Sequence, residues 1–162
     1  MKKLILIALA ILTFVSCKIN DDADIRLLQV TNFETHGVTL SKARISVSAE
    51  IYSSANRRFS ISDAELALNN GSGRELLRAK LTDGITIRKK RVTEITIPLD
   101  IKYDMPGAML VMSEGSIDKI LESDITVSGY LKFKKSIIGH KYEIDNMPLK
   151  EFMEFTGIDD IF

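Results

Sequence analysis

The feature that most constrains this chain is an alternation of apolar and polar residues that runs from Leu40 to Leu68. Successive side chains of a β-strand point to opposite faces of a sheet, so alternation places the apolar residues on one face. In the first half of the stretch these apolar positions are Ala43, Ile45, Val47, Ala49 and Ile51. The second half changes parity near Ser62-Asp63, which indicates a β-bulge. The stretch therefore predicts two strands packed against one core.

Further short runs with the same period occur along the chain, separated by turn-forming residues. They predict strands at Ile25–Phe33, Leu77–Leu81, Ile85–Ile87, Val92–Tyr103, Ile125–Phe133 and Ile138–Ile144. Pro98 lies on the outward parity of its run, which favours an edge strand because proline has no backbone N–H to donate. Together the runs predict an all-β fold, an immunoglobulin/fibronectin III-like antiparallel β-sandwich of about seven strands.

Two segments depart from the strand period. Between Pro106 and Asp124 the apolar residues have helical spacing, so we predict a short helical insertion before the last two strands. Pro148 is suited to the first turn of a helix, and Leu149, Phe152 and Met153 would then share one face. The sequence therefore predicts a short C-terminal helix.

With 162 residues, 45% of them hydrophobic, the chain has the composition of one globular domain. No repeat marks a second unit, so residues 25–162 are expected to form a single β-sandwich domain that ends in the short helix. The formal net charge is zero, and removal of Lys2 and Lys3 with the first sixteen residues leaves 20 basic and 22 acidic groups. This balance lacks the basic excess of nucleic-acid-binding proteins, so no nucleic-acid partner is expected.

The N-terminus has the pattern of an export signal. Lys2 and Lys3 precede an apolar run from Leu4 to Val15, which is followed by the small residue Ser16 and then by Cys17. The run is shorter than the roughly 20 residues that a bilayer-spanning helix requires. It therefore predicts a removable signal rather than a permanent transmembrane anchor.

The end of this signal resembles the lipobox of bacterial lipoproteins, read as Phe14-Val15-Ser16-Cys17. The resemblance implies that residues 1–16 are a lipoprotein signal peptide and that Cys17 is acylated, with palmitate or a similar chain. Residues 17–24 would form a flexible tether, and the protein would be lipid-anchored in the cell envelope, on an outer-membrane, periplasmic or surface face. The alternative is a plain secretory signal followed by an incidental cysteine.

Two further sets of residues are candidates for contact with a ligand or a surface. The basic run is Arg88, Lys89, Lys90 and Arg91. It either contacts membrane headgroups or a partner, or is a solvated hairpin end whose charges protect a sheet edge, and the same holds for Lys132, Lys134 and Lys135. The second set, Met105, Met109 and Met112, either lines an adaptable apolar mouth or fills the end of the core.

Signals for catalysis are weak. The chain has two histidines, His36 and His140, and no local pairing with an acid, a serine or a cysteine marks either one. There is no GxSxG turn, no cluster with metal-ligand spacing and no phosphate-binding loop, so no metal and no cofactor are expected. An enzyme would need one of the histidines in a cleft beside an acid.

The order of the elements resembles a known family. A long strand, a polar turn with Asn56, the strand from Phe59 to Leu68 and the following Asn-Gly are similar to the type 2 late embryogenesis abundant proteins, in their water-stress and hypersensitive-response domain. The similarity extends through TEITIPLDI and ITVSGYLKFK and covers Ile25 to Met147. It implies a seven-stranded sandwich with a helix between strands, no catalytic residues, and a role in stress protection or lipid contact.

These observations favour a non-enzymatic, lipid-anchored envelope protein with a binding or stress-protective role at the membrane. Its partners would be membrane lipid, through acylated Cys17, and an envelope protein. The alternative hypothesis is a carrier of lipid or another hydrophobic ligand, and the third hypothesis is a hydrolytic enzyme.

Overall fold

The computed structural model describes residues 25–105 and 124–156, which form eight β-strands and one α-helix. In chain order the elements are β1 (Ile25–Val38), β2 (Lys42–Ser53), β3 (Phe59–Asn69), β4 (Glu75–Leu81), β5 (Ile85–Ile87), β6 (Arg91–Tyr103), β7 (Thr126–Lys135), β8 (Ile138–Pro148) and α1 (Leu149–Thr156). Every strand pairing within these residues is antiparallel. The all-β prediction is confirmed, with eight strands where about seven were expected.

The strands follow the order β1-β2-β6-β4-β3-β7-β8, and β5 pairs with β3 beside this path. The two flanks, β1-β2-β6 and β3-β7-β8, reproduce the strand order of the two sheets of an immunoglobulin-type sandwich. Strand β4 pairs with both β3 and β6, so it links the two layers along one side. Strands β2 and β3, although consecutive in the chain, therefore lie in different layers.

The two layers enclose a single core built mainly from aliphatic side chains. The inward residues of β2 are at most 4% exposed, and these are Ala43, Ile45, Val47, Ala49 and Ile51. They belong to one buried cluster with residues of β3, β4, β5, β6, β7 and β8. Burial of each Ile or Leu side chain stabilises the fold by about 1.5–3 kcal/mol. The apolar residues of the alternating pattern in β2 therefore form part of the core.

The bulge predicted near Ser62-Asp63 is present. The register between β3 and β7 shifts between Ile61 and Asp63. Because of this extra residue, Ile61 and Ala64, which have different parity, both face the core and are each 1% exposed. The bulge therefore keeps both halves of β3 apolar on the inside.

The edge position predicted for Pro98 is wrong, because β6 lies between β2 and β4. The carbonyl oxygen of Pro98 accepts a hydrogen bond of 3.0 Å from the backbone N–H of Thr82, one residue beyond the end of β4 at Leu81. In an antiparallel strand the nitrogen and oxygen of one residue face the same neighbour. The proline nitrogen thus faces Thr82 at the end of the ladder between β4 and β6, so the missing N–H costs the sheet only the return hydrogen bond to the carbonyl oxygen of Thr82.

Helix α1 follows Pro148 and covers the end of the core. Phe152 is 3% exposed, and Leu149 and Met153 pack against the buried cluster, so the three residues share the inward face as expected. The predicted helical insertion, Pro106 to Asp124, lies outside the described residues except for Asp124 at its end. Within the described ranges, no helix has the length and apolarity needed to cross a membrane.

Candidate functional site: the basic end of the sandwich

Three connections between strands meet at one end of the sandwich. The β5–β6 turn contacts the β2–β3 loop, where the backbone N–H of Lys90 donates to the carbonyl oxygen of Ala55 at 3.1 Å. The β7–β8 turn contacts the same loop, where the N–H of Ser136 donates to the carbonyl oxygen of Arg58 at 3.5 Å. Phe59, at the start of β3, pairs with both β5 and β7 and holds the three connections in register. We call this region the basic end.

The basic end carries eight cationic side chains from three separate segments. They are Arg57, Arg58, Arg88, Lys89, Lys90, Arg91, Lys134 and Lys135. The segments 53–59, 85–93 and 133–140 contain no Asp or Glu. Seven of the eight are exposed, whereas Lys135 is half-buried with its Nζ 5.7 Å from the centre of the Phe59 ring. The cations therefore form one continuous positive region.

The cations of the basic end contrast with three arginines elsewhere in the sheet that form close ion pairs. Arg44, Arg74 and Arg78 form ion pairs with carboxylates at 2.7 Å, namely those of Asp100, Asp104 and Glu65. Among the described residues, none of the eight cations of the basic end forms such a pair. In residues 25–105 and 124–156, no carboxylate therefore lies within ion-pair distance of these eight cations.

An apolar residue projects from the basic end at the β7–β8 turn, which follows Lys134 and Lys135. Lys135 pairs with Ile138 across a two-residue turn, with Ser136 at φ 62° as the first turn residue. A positive φ at that position is typical of the tight type II′ hairpin, which follows the twist of the strands. The turn leaves Ile137 93% exposed and Ile138 60% exposed.

The chain enters the sandwich at the basic end. Ile25, the first residue of β1, pairs with Ser53, and Ser53 pairs with Arg91 on the next strand. Neighbouring strands are about 4.8 Å apart, so the first strand residue lies about 10 Å from the basic run. The segment that contains Cys17 therefore leads into the fold beside these cations.

Met105, the one described residue of the methionine set, lies at the end of the molecule opposite the basic run. Met105 follows the end of β6 at Tyr103, twelve residues along the strand from Arg91, a distance of roughly 40 Å. Met105 is 63% exposed, and Met109 and Met112 lie outside the described residues. The structure therefore places Met105 far from the basic run.

Lys132 differs from Lys134 and Lys135 on the same strand in having a carboxylate partner. Its Nζ lies 3.4 Å from the carboxylate oxygen of Asp63 that also accepts a hydrogen bond of 3.1 Å from the hydroxyl of Tyr130. Burial, and then this hydrogen bond, raise the pKa of Tyr130 above its ordinary value. Lys132 is thus part of a polar cluster that fixes the outer face of the sheet.

His36 has two polar neighbours that sequence inspection did not connect to it. Its Nε2 is 2.7 Å from Oγ of Ser46 and 3.9 Å from Oε2 of Glu34. In a Ser-His-acid triad the acid holds the other ring nitrogen, whereas here both groups lie at the same one. The histidine and Glu34 side chains are 44% and 57% exposed on the open face of β1 and β2, so this trio has no cleft.

His140 has a packing role. Its ring stacks on Phe133 with centroids 5.2 Å apart, on the outer part of β8. No group of three or more His, Cys, Asp or Glu in the described ranges could hold a metal ion. In the described part of the chain, His36 thus contacts Ser46 and Glu34 on an exposed sheet face, and His140 stacks on an aromatic ring.

Sequence inspection identified Arg88–Arg91 but missed Arg57, Arg58 and Ile137 as parts of the same surface. The sequence feature that could have identified these residues is the recurrence of basic residues beside predicted turns. Only the strand order shows that these turns share one end.

Neither a protein-family model nor a curated protein sequence matches the chain. Among solved structures, it is similar to a protein from Archaeoglobus fulgidus, with 13% identity, a TM-score of 0.42, and coverage of 74% of this chain and 94% of that one. It is also similar to a β-glucuronidase from glycoside hydrolase family 2, with 11% identity, a TM-score of 0.31, and coverage of 70% of this chain and 11% of that one. A protein from Arabidopsis thaliana has 16% identity and a TM-score of 0.32, with coverage of 82% and 91%. These similarities are weak, and we draw no functional argument from them.

Proposed function

We propose that the protein is a non-enzymatic, lipid-anchored protein of the bacterial cell envelope, with a binding or stress-protective role at the membrane. The observation that carries the proposal is the short, apolar signal that ends in Ser16-Cys17. Acylation of Cys17 would provide the anchor, since each buried methylene of an acyl chain contributes about 0.8 kcal/mol. The rest of the chain then serves as a folded module outside the bilayer.

The position of the folded domain supports this arrangement. Among the residues that the structure describes, the buried hydrophobic core lies between Ala43 and Phe152, and the first strand begins at Ile25, eight residues after Cys17. Eight residues in an extended conformation span at most roughly 27–29 Å. An anchor at Cys17 would thus hold the start of β1 within that distance of the membrane surface.

The end opposite the basic end is the better candidate for contact with an envelope protein. There the β1–β2 turn is held to the end of β6 by the hydroxyl of Tyr103, which donates to the carbonyl oxygen of Thr39 at 2.6 Å. Leu40 on this turn is 80% exposed. If the tether holds the other end near the bilayer, this turn faces away from it.

A Cys17→Ala variant tests the proposal in bacteria with lipoprotein-processing enzymes. We expect the unsubstituted protein to start at residue 17, to incorporate a labelled fatty acid and to fractionate with membranes. The Cys17→Ala variant should lose the label and remain as an unprocessed precursor.

The matched control is Ser16→Ala, which keeps a small residue before the cleavage position and should leave labelling intact. Membrane fractionation and intact mass that are the same for Cys17→Ala and the unsubstituted protein would contradict lipid anchoring.

A further inference from the structure

We infer that the basic end docks on the headgroups of anionic phospholipids, with Ile137 entering the interface, so that the sandwich stands end-on at the membrane. The inference deepens the proposed function, because it states how the anchored domain lies on its own membrane. The ligand is the anionic bilayer surface, recognised by clustered cations and an apolar tip.

The first argument is proximity. Ile25, Ser53 and Arg91 lie side by side on three neighbouring strands, so the tether from Cys17 joins the fold next to the basic run. Electrostatic attraction to a bilayer falls off over a Debye length, about 8 Å at physiological salt. The tether is long enough to let the basic end reach the surface and short enough to keep it close.

The second argument is charge asymmetry. The mature chain has more acidic than basic groups, 22 against 20, yet eight of the basic groups lie at this end. From residue 25 onward the remaining residues contain 11 basic and 19 acidic groups, while Lys18, Asp21, Asp22 and Asp24 belong to the segment that precedes β1. A negative surface therefore attracts the basic end and repels the rest of the folded domain, which selects an end-on orientation.

The third argument is the apolar tip. Ile137 and Ile138 project from the β7–β8 turn and are flanked by Lys134 and Lys135. A bilayer interface accepts an apolar side chain below the phosphates while the cations remain at the level of the headgroups. A soluble polyanion would engage the same cations but would give no environment for the isoleucines. Clustered cations beside exposed isoleucines therefore favour a membrane surface over a soluble polyanion as the ligand.

Vesicle binding tests the inference with the chain from residue 17 carrying Cys17→Ala, which keeps the whole buried core but has no acyl chain. We expect it to sediment with vesicles that contain phosphatidylglycerol, to release them as salt is raised, and not to bind pure phosphatidylcholine vesicles. Each cation near an anionic surface contributes about fivefold in binding. Arg88→Gln with Lys89→Gln should therefore weaken binding about 30-fold.

The matched control is Lys42→Gln with Lys102→Gln, which removes the same charge from exposed, cross-strand neighbours at the opposite end. This pair should bind as the unsubstituted chain does. Ile137→Ser should weaken binding severalfold without changing its dependence on salt, because it removes apolar contact and no charge.

Three results would overturn the inference: no binding to phosphatidylglycerol vesicles, equal binding to neutral vesicles, or equal losses in the two double variants. A loss of binding for the cation variant with Ile137→Ser unaffected, together with equal binding to a soluble polyanion, would assign the surface to an acidic partner instead. The protein used in the vesicle experiment has no acyl group, so its binding does not depend on whether Cys17 is acylated in bacteria.

Discussion

At the scale of single residues, Gly129 is the position most sharply determined by its surroundings. A Cβ atom built there would lie 2.1 Å from the carbonyl oxygen of Glu65 and 2.9 Å from Cδ2 of Leu66. The neighbouring strand β3 thus approaches β7 so closely that only a residue without a side chain fits.

Gly129→Ala should therefore destabilise the fold by about 1–3 kcal/mol, because the backbones of β3 and β7 would have to separate. Urea unfolding measures the change. The matched control is Gly37→Ala in β1, where a Cβ atom would have nothing within 4 Å and little effect is expected. Equal losses for both variants would show that the close approach is not the cause.

At the scale of elements, a cross-strand ion pair joins β2 to β6. The guanidinium of Arg44 donates from Nε to Oδ1 of Asp100 at 2.7 Å and from Nη2 to Oδ2 at 3.1 Å. This hydrogen bonding lowers the pKa of Asp100, with a smaller contribution from the charge of Arg44. The folded state therefore favours the ionised carboxylate.

The sign of the linkage gives a pH dependence. A carboxyl group whose pKa is lower in the folded than in the unfolded state contributes stability above its unfolded pKa, near 3.9, and loses it as the pH falls. The stability difference between the unsubstituted protein and Asp100→Asn should thus shrink between pH 7 and pH 3.

Urea unfolding at the two pH values measures this change, which is small because both side chains are partly exposed. Arg44→Gln should show the same trend, and the double variant should add nothing further. A difference that is constant with pH would contradict the role assigned to the pair.

The elements also show what the sequence can predict. The apolar residues of β2 and β6 alternate because one face is buried, so their strands and inward sides follow from period alone. The edge position predicted for Pro98 was wrong, because the period of a strand's apolar residues does not indicate which strands lie beside it. Whether a strand is interior depends on pairing between residues far apart in the chain.

The candidate site could likewise be predicted from the sequence only in part. Arg88–Arg91 is visible in the sequence as a charged run, whereas Arg57, Arg58 and Ile137 join it only through the folding of three connections to one end. The requirement for glycine at position 129 is likewise invisible in the sequence, because it arises from the close approach of strand β3. Local pattern thus predicts the elements, and long-range register decides which of them make a surface.

At the scale of the whole molecule, the two ends of the sandwich differ. The first residue of β1 and the eight cations lie at one end, while the β1–β2 turn with Leu40 lies at the other. A lipid anchor alone would leave the domain free to tumble on its tether. Contact of the basic end with anionic headgroups would fix its long axis and present the opposite end to partners in the envelope.

The most direct test of this orientation uses fluorescence, because the chain contains no tryptophan. Ile137→Trp and Leu40→Trp each introduce a single reporter at an exposed position, one at each end. In lipidated protein reconstituted with phosphatidylglycerol-containing vesicles, the account predicts a blue-shifted emission and quenching by brominated lipid for Ile137→Trp, and neither for Leu40→Trp. Water-like emission from Ile137→Trp in the anchored protein, or equal shifts at both positions, would contradict it.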